Sequence, residues 1–479
     1  MQPSKAPEMG AFFRPLLISL AWLGYLIATA NFSFTRLFSY DEQRLGQLLL
    51  LALTILLCGA RLLNQPLSRL RMATRLLLAI YFALGLLATA QAALLRWAGM
   101  EWALNYLLCF ALLTLAGCRI EADEKADRWL IFGVTLPIPV YIAGVLAAYL
   151  AALAGSAPYN QWLLFHNFSN ARFLGQWMTL TLPLLALLPQ LFQRTLHRYA
   201  AWSLLATWWA LLLATGTRGS LFGLAGGAIL GLLAGRSFLS LIKTQVKGLL
   251  LGLLGYAVFF LAVPKILWHE LPSMGASDNL ARAGLSGRNY LWSEAWHFIV
   301  AHPWLGIGPM QFAAHPNPYG AHPHDFILLY AAEWGVPAAV ILLVLLARAY
   351  LGWISCLRTD RIEGFPGQLS MALLWSISAC LTQGLVDGTT VTPYSQTLLV
   401  ALAGWGLGAH LSASPPVASH RLLPYRLLRL SAVAATMYIA IAAIPSFTTL
   451  WDRAYVPGVQ TPVYVYPRFW SDGWIRRRH

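Results

Sequence analysis

The sequence is poor in charged residues, and acidic residues are the scarcest. Only 11% of its 479 residues are charged, whereas 58% are hydrophobic. Soluble domains carry about 25% charged residues, so the composition excludes a soluble protein and predicts an integral membrane protein. No polar stretch exceeds about sixty residues, which is too short for an independent domain with a sizeable core.

Cysteine is also scarce, and no C-x-x-C pair occurs. The five cysteines fall within apolar segments or in loops that we place on the cytoplasmic side, and they are Cys58, Cys109, Cys118, Cys356 and Cys380. This distribution argues against a disulfide framework or a zinc site.

Long hydrophobic runs dominate the rest of the sequence. A bilayer-crossing helix needs roughly twenty mostly apolar residues, and thirteen segments are candidates. They are residues 12–30, 45–63, 74–95, 102–119, 129–153, 174–192, 200–216, 219–235, 247–267, 326–347, 369–386, 394–411 and 430–447. The first lacks a small-residue cleavage site, so we interpret it as a retained span. The last is the weakest candidate, because it begins in basic sequence and contains Pro445.

These segments predict an all-α, polytopic membrane protein with about twelve or thirteen transmembrane helices. We expect N-terminal transmembrane helices over residues 1–267 and a periplasmic segment of short interfacial helices over 268–325. C-terminal transmembrane helices over 326–450 and a tail over 451–479 follow.

The net charge of +15 predicts the orientation of the chain in the membrane and does not indicate a nucleic-acid partner. With the 268–325 segment placed outside, the inner loops and the N-terminal arm hold twenty lysines and arginines, the outer segments eight and the tail five. The positive-inside rule then predicts a cytoplasmic N-terminus and an outward-facing 268–325 segment. Membrane lipids surround such a chain.

The segment 286–337 concentrates one arginine and five histidines between two apolar runs. Ionisable groups close to a bilayer core are costly, so such a cluster is a functional-site hypothesis. His322 and His324 share the predicted outer face with three arginines, Arg172, Arg218 and Arg288. Arginine binds phosphate through a forked pair of hydrogen bonds, and histidine accepts a proton near neutral pH.

Structural alternatives remain open for each arginine. Arg218 is also explained as a snorkelling anchor at a helix end. Arg288 opens a segment with helical spacing of apolar residues and is also explained as the charged edge of an interfacial helix. Arg172 lies just before a span, where His166 and Asn170 are candidate helix caps.

The acidic residues are harder to assign. Asp325, Glu333 and Asp387 are candidate contacts to a sugar or an acceptor. Asp387 is also explained as a turn residue, and Glu333 as a polar residue that packs between helices. His322 and His324 followed by Asp325 invite a metal site, but no carboxylate cluster accompanies them, so we predict none. Asp41 and Glu42 in the first outer loop would support a metal-dependent mechanism, although a solvated loop is the preferred interpretation.

Four motifs in order resemble the O-antigen ligase/polymerase superfamily. They are TGTRGS at 215–220, SGRNYLW at 286–292, HPWLGIGPMQF at 302–312 and HPHDFILLYAAEWGVPAA at 322–339, and the segment 384–408 resembles ligase members. Asp325 stands where that family usually has asparagine. The resemblance covers roughly residues 160–410.

The resemblance implies an inner-membrane glycosyltransferase that uses an undecaprenyl-pyrophosphate-linked glycan and a lipid A-core acceptor, without a cofactor or metal. The matching motifs place Arg218 and Arg288 on the pyrophosphate and His324 as the base, with His322 as the alternative base. Arg172, on the same predicted face, is a third candidate for the pyrophosphate, and the absence of an evident protein nucleophile predicts an inverting displacement. An O-antigen polymerase and an O-linking protein oligosaccharyltransferase stay open. A transporter of lipid-linked glycan also stays open, although inverted repeats and midplane charges are not evident.

Overall fold

The computed structural model describes residues 9–35, 37–155, 158–273, 287–315, 317–359, 364–413, 425–452, 467–473 and 475. Over these ranges the chain is helical, and no β-strand occurs beyond an isolated bridge between Asn160 and Ser273. The predicted all-α class is confirmed. Ser286 of the SGRNYLW motif lies outside the described residues.

In the described part of the chain, thirteen helices precede the long polar segment. They are α1 (Met9–Asn31), α2 (Ser39–Leu57), α3 (Ala60–Arg69), α4 (Met72–Ala90), α5 (Leu95–Glu121), α6 (Glu124–Thr135), α7 (Pro137–Leu153), α8 (Ala171–Leu185), α9 (Leu188–Leu191), α10 (Thr195–Thr215), α11 (Arg218–Gly231), α12 (Phe238–Tyr256) and α13 (Val263–Trp268). A π-helical turn, Ala257–Ala262, joins α12 to α13.

Six helices follow in the described residues. They are α14 (Arg288–Ala301), α15 (Phe326–Trp334), α16 (Val336–Arg358), α17 (Gly364–Gln383), α18 (Pro393–Ser412) and α19 (Tyr425–Asp452). Short 3-10 turns lie at Gln161–Leu164, Leu232–Ala234 and Gln311–Ala314.

Eight helical segments of the described chain are long and apolar enough to cross a membrane. They are Phe13–Asn31, Met72–Ala90, Leu95–Glu121, Lys125–Leu153, Ala171–Leu191, Phe238–Trp268, Val336–Arg358 and Tyr425–Leu450. The last includes the weakest predicted span. The remaining predicted spans coincide with helices that are shorter or less apolar. The chain is therefore a polytopic membrane protein, as predicted.

Two predicted spans are divided in the structure. The segment 45–63 breaks after Leu57, and α2 and α3 meet at an angle of 92°. Cys58 and Gly59 adopt extended backbone there, which ends the helix despite the apolar sequence. The segment 326–347 divides at Gly335, whose positive φ of 87° ends α15. The next helix, α16, begins at Val336 with Pro337 in its first turn. The membrane-crossing helix thus begins at Val336, and α15 is a separate short helix.

An aromatic cluster forms the centre of the bundle. Trp177 of α8 meets Trp208 of α10, Tyr141 of α7 and Tyr394 of α18, with ring centroids 4.9–5.5 Å apart. The indole N–H of Trp208 donates to Thr181 Oγ1 at 2.9 Å. Burying the rings while satisfying the polar N–H fixes how these four helices pack.

Close packing of α11 against α17 brings the start of one helix to the end of the other. A Cβ at Gly223 would lie 2.6 Å from the carbonyl oxygen of Ala379, and one at Gly227 would lie 2.7 Å from the Ala379 nitrogen. Small residues at this spacing let two membrane helices approach closely. Arg218 at the start of α11 is thereby carried to the loop after Gln383.

The polar segment folds onto α15. Ile307 N donates to Ala332 O at 2.8 Å, and Gly308 N donates to Glu333 O at 2.9 Å. The predicted helix after Gly287 is confirmed as α14, with Leu291, Ala295 and Ile299 buried. Trp296 of the same helix is 61% exposed.

Candidate active site

Three arginines occupy the first turns of three helices. Arg172 is the second residue of α8, Arg218 is the first of α11 and Arg288 is the first of α14. Burial lowers the pKa of Arg288, and the charges of Arg172 and Arg218 lower it further, while Asp387 opposes them. The arginines predicted from sequence therefore lie within electrostatic range of one another.

Helix N-termini strengthen this positive region. Backbone N–H groups in a first turn have no intrahelical partner, and the helix dipole adds positive potential there. Asn170 caps α8 by accepting a hydrogen bond from Arg172 N at 2.9 Å. The predicted alternative cap His166 instead stacks on Tyr141, with centroids 4.4 Å apart. Guanidinium groups at helix N-termini suit a phosphate or pyrophosphate.

A hydrogen-bond chain joins the start of α11 to Asp387. Gln383 Nε2 donates to Ser220 Oγ at 3.1 Å and to Asp387 Oδ2 at 2.9 Å. The backbone N–H of Gly388 donates to Asp387 Oδ1 at 2.8 Å. Arg288 Nε donates to the carbonyl of Val386 at 2.8 Å, so α14 is attached to the same loop. Asp387 is thus a fixed, buried carboxylate beside the arginines.

The two histidines lie against each other. Their ring centroids are 4.2 Å apart, and His324 N donates to His322 Nδ1 at 3.2 Å. His324 has a positive φ of 56°, an uncommon backbone conformation for a residue other than glycine. Trp292 Nε1 donates to the carbonyl of Pro323 at 3.0 Å and fixes the loop between them.

Gly388 explains why His322 is buried. A Cβ at that position would lie 2.8 Å from Cε1 of His322, so only glycine allows the imidazole to sit against the 386–388 loop. The loop that holds Asp387 therefore also holds His322.

Electrostatics keep both imidazoles neutral. Burial lowers the pKa of His324, Asp387 opposes this effect, and Arg288 and Arg172 reinforce it. Burial, with the charges of His324, Arg468 and Arg288, holds the pKa of His322 well below its ordinary value. The Nδ1 atom of His324 has no hydrogen-bond partner among the described residues. That nitrogen is buried as well as unpaired, so a neutral His324 is able to accept a proton there from a group that enters the site.

Asp325 serves the backbone of α15. Its Oδ1 accepts hydrogen bonds from Ile327 N at 2.8 Å and Leu328 N at 3.0 Å, which makes it the N-cap. Aspartate and asparagine are equally good in this position, which explains the departure from the family pattern. A sugar contact by Asp325 stays a prediction.

Both carboxylate oxygens of Glu333 accept hydrogen bonds from other residues of the protein. It accepts from Phe312 N at 3.1 Å, from Met310 N at 3.0 Å and from Arg468 Nη2 at 2.6 Å. Burial raises the pKa of Glu333, and Arg468 opposes that rise. These contacts favour the packing interpretation, and the sugar contact is untested.

The solvated loop expected for Asp41 and Glu42 is wrong. Both residues are buried, Asp41 to 1% exposure. Asp41 accepts hydrogen bonds from Ser471, and Glu42 accepts from Ser33 Oγ at 3.0 Å and Thr35 N at 3.1 Å. The loop turns back on its own backbone, and residues far along the chain cover it. No group of three or more His, Cys, Asp or Glu residues placed to hold a metal occurs in the described ranges.

Sequence reasoning missed Arg468, which is buried among Glu333, Glu101 and the first outer loop. It stands in a predicted tail with four other arginines, and only the aromatic pair after it, Phe469 and Trp470, hinted at burial.

Known proteins support the resemblance. A family model described as O-antigen ligase matches residues 199–343, which include Arg218, Arg288 and both histidines. An O-antigen ligase of Pseudomonas aeruginosa is 27% identical over 243 residues. The resemblance to O-antigen ligases is confirmed. The match covers 50% of this chain and 51% of that protein, so the chain spans about half the length of the curated relative it matches.

Proposed function

We propose that this protein transfers a glycan from undecaprenyl pyrophosphate to a hydroxyl of lipid A-core during lipopolysaccharide assembly. The observation that carries the proposal is that Arg288 and Arg172 lie within electrostatic range of the His322–His324 pair, and that Arg218 lies within range of Arg288. We place the chain in the bacterial inner membrane, with this site facing the periplasm, since the positive-inside count favours that orientation.

The arginines act on the leaving group. Pyrophosphate departs readily once its developing charge is neutralised, and preorganised cations supply that stabilisation. Arg172, Arg218 and Arg288 stand at helix N-termini and offer forked donors to the phosphate oxygens. The bond between the anomeric carbon and the pyrophosphate oxygen breaks, and its electron pair leaves with the pyrophosphate.

His324 acts on the acceptor. Its unpaired Nδ1 takes the proton of the acceptor hydroxyl as the hydroxyl oxygen attacks the anomeric carbon. A single displacement of this kind inverts the configuration at the sugar. Asp387 stabilises the resulting imidazolium through its charge, since it acts to raise the pKa of His324.

Donor binding strengthens the base. Arg288 and Arg172 lower the pKa of His324 in the free protein. A bound pyrophosphate compensates those positive charges, so the imidazole becomes more basic when the donor is in place. His324 is then a stronger base in the complex with the lipid-linked donor than in the free protein.

Reconstitution with defined substrates tests the proposal. Purified protein is mixed with an undecaprenyl-pyrophosphate glycan and lipid A-core, and glycosylated lipid A-core is the expected product. A longer undecaprenyl-linked glycan would instead identify a polymerase, and a glycosylated protein an O-linking oligosaccharyltransferase. Movement of the intact lipid across vesicles without transfer would identify a transporter. The matched control is His297→Ala, which removes an exposed histidine of α14 and should leave the product unchanged.

A further inference from the structure

Residues 467–473 are buried at the same end of the molecule as the candidate active site. Arg468 is 1% exposed, and Phe469 and Trp470 are equally inaccessible. A buried arginine loses its hydration and is retained only where charges and acceptors compensate. The groups around Arg468 therefore indicate the structural role of this segment.

The segment is bound to the first outer turn of α2. Ser471 donates to Asp41 through its backbone N–H at 2.7 Å and through its hydroxyl at 2.5 Å. Arg44 Nε donates to the carbonyl of Phe469 at 2.9 Å. The middle of this short segment, at Phe469 and Ser471, is thus hydrogen-bonded to a helix more than 400 positions earlier in the chain.

Arg468 connects the segment to the loop that follows α14. Its Nη2 lies 2.6 Å from Glu333 and 3.6 Å from Glu101. The same Glu333 carboxylate accepts from the backbone of Met310 and Phe312. One buried guanidinium therefore compensates the carboxylate that shapes the 310–312 turn.

Arg44 connects the segment to the 386–391 loop. Its Nη2 donates to the carbonyl of Val391 at 2.7 Å. Val391 N in turn donates to Gly388 O at 2.9 Å, and Gly388 lies against the imidazole of His322. The charge of Arg468 also acts on His322, so the guanidinium lies within electrostatic range of that imidazole.

We propose that Arg468 is a positioning residue, and that the docked 467–473 segment holds the 310–312 turn and the 386–391 loop in the arrangement that places His322 and His324. The inference rests on the proposed function for its kinetic consequence. Arg468 does not touch the substrate in this account and acts through Glu333 and the histidine loop.

Arg468→Gln tests the kinetic part. It should lower kcat by about 10²-fold, the scale expected when reacting groups are misplaced by about 1 Å. KM for the lipid-linked donor should change little, because Arg172, Arg218 and Arg288 are untouched. Arg468→Lys should recover part of kcat, since the charge remains but the fork is lost. The matched control is Arg61→Gln, which breaks an ion pair with Glu121 at a residue 68% exposed.

A pH profile separates positioning from loss of folded protein. Arg468 lowers the pKa of His322, so its removal should raise that pKa. Protonated His322 cannot accept the hydrogen bond from His324 N. The acid limb of kcat, which His324 sets in the wild-type chain, should therefore move to higher pH in Arg468→Gln, because protonation of His322 then releases the loop before His324 itself is protonated. A variant that is merely less folded would lose amplitude without moving this limb, and that result would overturn the proposal.

Chemical modification gives a readout that needs no transferase activity. At pH 8, where the histidines are neutral, diethyl pyrocarbonate should modify buried His322 slowly in the wild-type chain. Arg468→Gln should accelerate modification of His322 several-fold, while exposed His297 should react at an unchanged rate. Equal rates at His322 in the two proteins would refute the positioning role. If His322 is modified faster in Arg468→Gln but the wild-type protein transfers no glycan, the positioning role would stand and only the proposed function would be refuted.

A cross-link tests whether docking itself is required. In the double variant Asp41→Cys with Ser471→Cys, the hydrogen bonds between these residues are replaced by thiols that oxidation joins. The reduced form should be slow, and oxidation should restore activity. Failure to form the link, or the same activity in both redox forms, would show that docking of the segment does not set the active geometry.

Discussion

The backbone N–H of His324 donates a hydrogen bond to Nδ1 of His322 over 3.2 Å. This bond requires a neutral His322 whose proton is on Nε2. His322 is thereby assigned to the support of the loop, and the unpaired Nδ1 of His324 is left for the acceptor. The two histidines are therefore expected to respond differently to substitution.

His324→Ala should reduce the transfer rate by roughly 10²–10⁴-fold, the usual contribution of a general base. Donor binding should survive, because the arginines remain. His322→Ala should be milder. Steady-state rates with purified protein and the His297→Ala control decide the matter. An inactive His322 variant beside a normal His324 variant would reverse the assignment, and full activity in both would make the pair structural.

His322→Asn should retain more activity than His322→Ala. An asparagine oxygen accepts a hydrogen bond from the backbone N–H two residues later, which is the bond that His322 Nδ1 accepts here. Relative kcat values of the two variants measure this. Equal losses in both would indicate that the imidazole itself, and not the acceptor it offers, is needed.

Arg218→Ala and Arg288→Ala should nearly abolish transfer, provided that both variants insert normally. Lysine should restore activity only in part, because a point charge lacks the forked geometry. Arg198→Ala, at an exposed arginine of α10, is the control. Wild-type transfer by either alanine variant would remove that arginine from the mechanism.

The acid limb of kcat should lie at higher pH than the acid limb of kcat/KM. The profile of kcat/KM reports the free enzyme, and that of kcat reports the bound complex. Burial, Arg288 and Arg172 lower the pKa of His324 in the free protein. Bound pyrophosphate compensates the arginine charges, so the pKa rises and activity is lost sooner on acidification. Coincident limbs would show that the donor does not act on the base.

Transfer should continue in EDTA, because the proposed mechanism neutralises the pyrophosphate with three arginines in place of a metal ion. Activity of purified protein before and after chelation is the measurement, with Mg²⁺ and Mn²⁺ added back. Loss that either ion restores would contradict the metal-independent mechanism and redirect attention to Asp41 and Glu42.

The sequence by itself determined the class of the protein and most of its helices. Apolar runs of roughly twenty residues are unambiguous, because a spanning helix must satisfy its backbone internally. The arginines and histidines stood out for the same reason, since a polar cluster is costly in such a chain. The break at Gly335 was missed because the apolar run of α15 and α16 continues across it.

Only the tertiary structure decided which residues meet. The glycines of α11 carry Arg218 to Asp387, and Gly388 makes room for His322. Nothing in the local pattern places Asp41 beside Ser471 or Glu333 beside Arg468. Local sequence reports helix formation and burial in apolar surroundings. The pairing of buried charges depends on contacts between distant segments, and those exist only once the helices have packed.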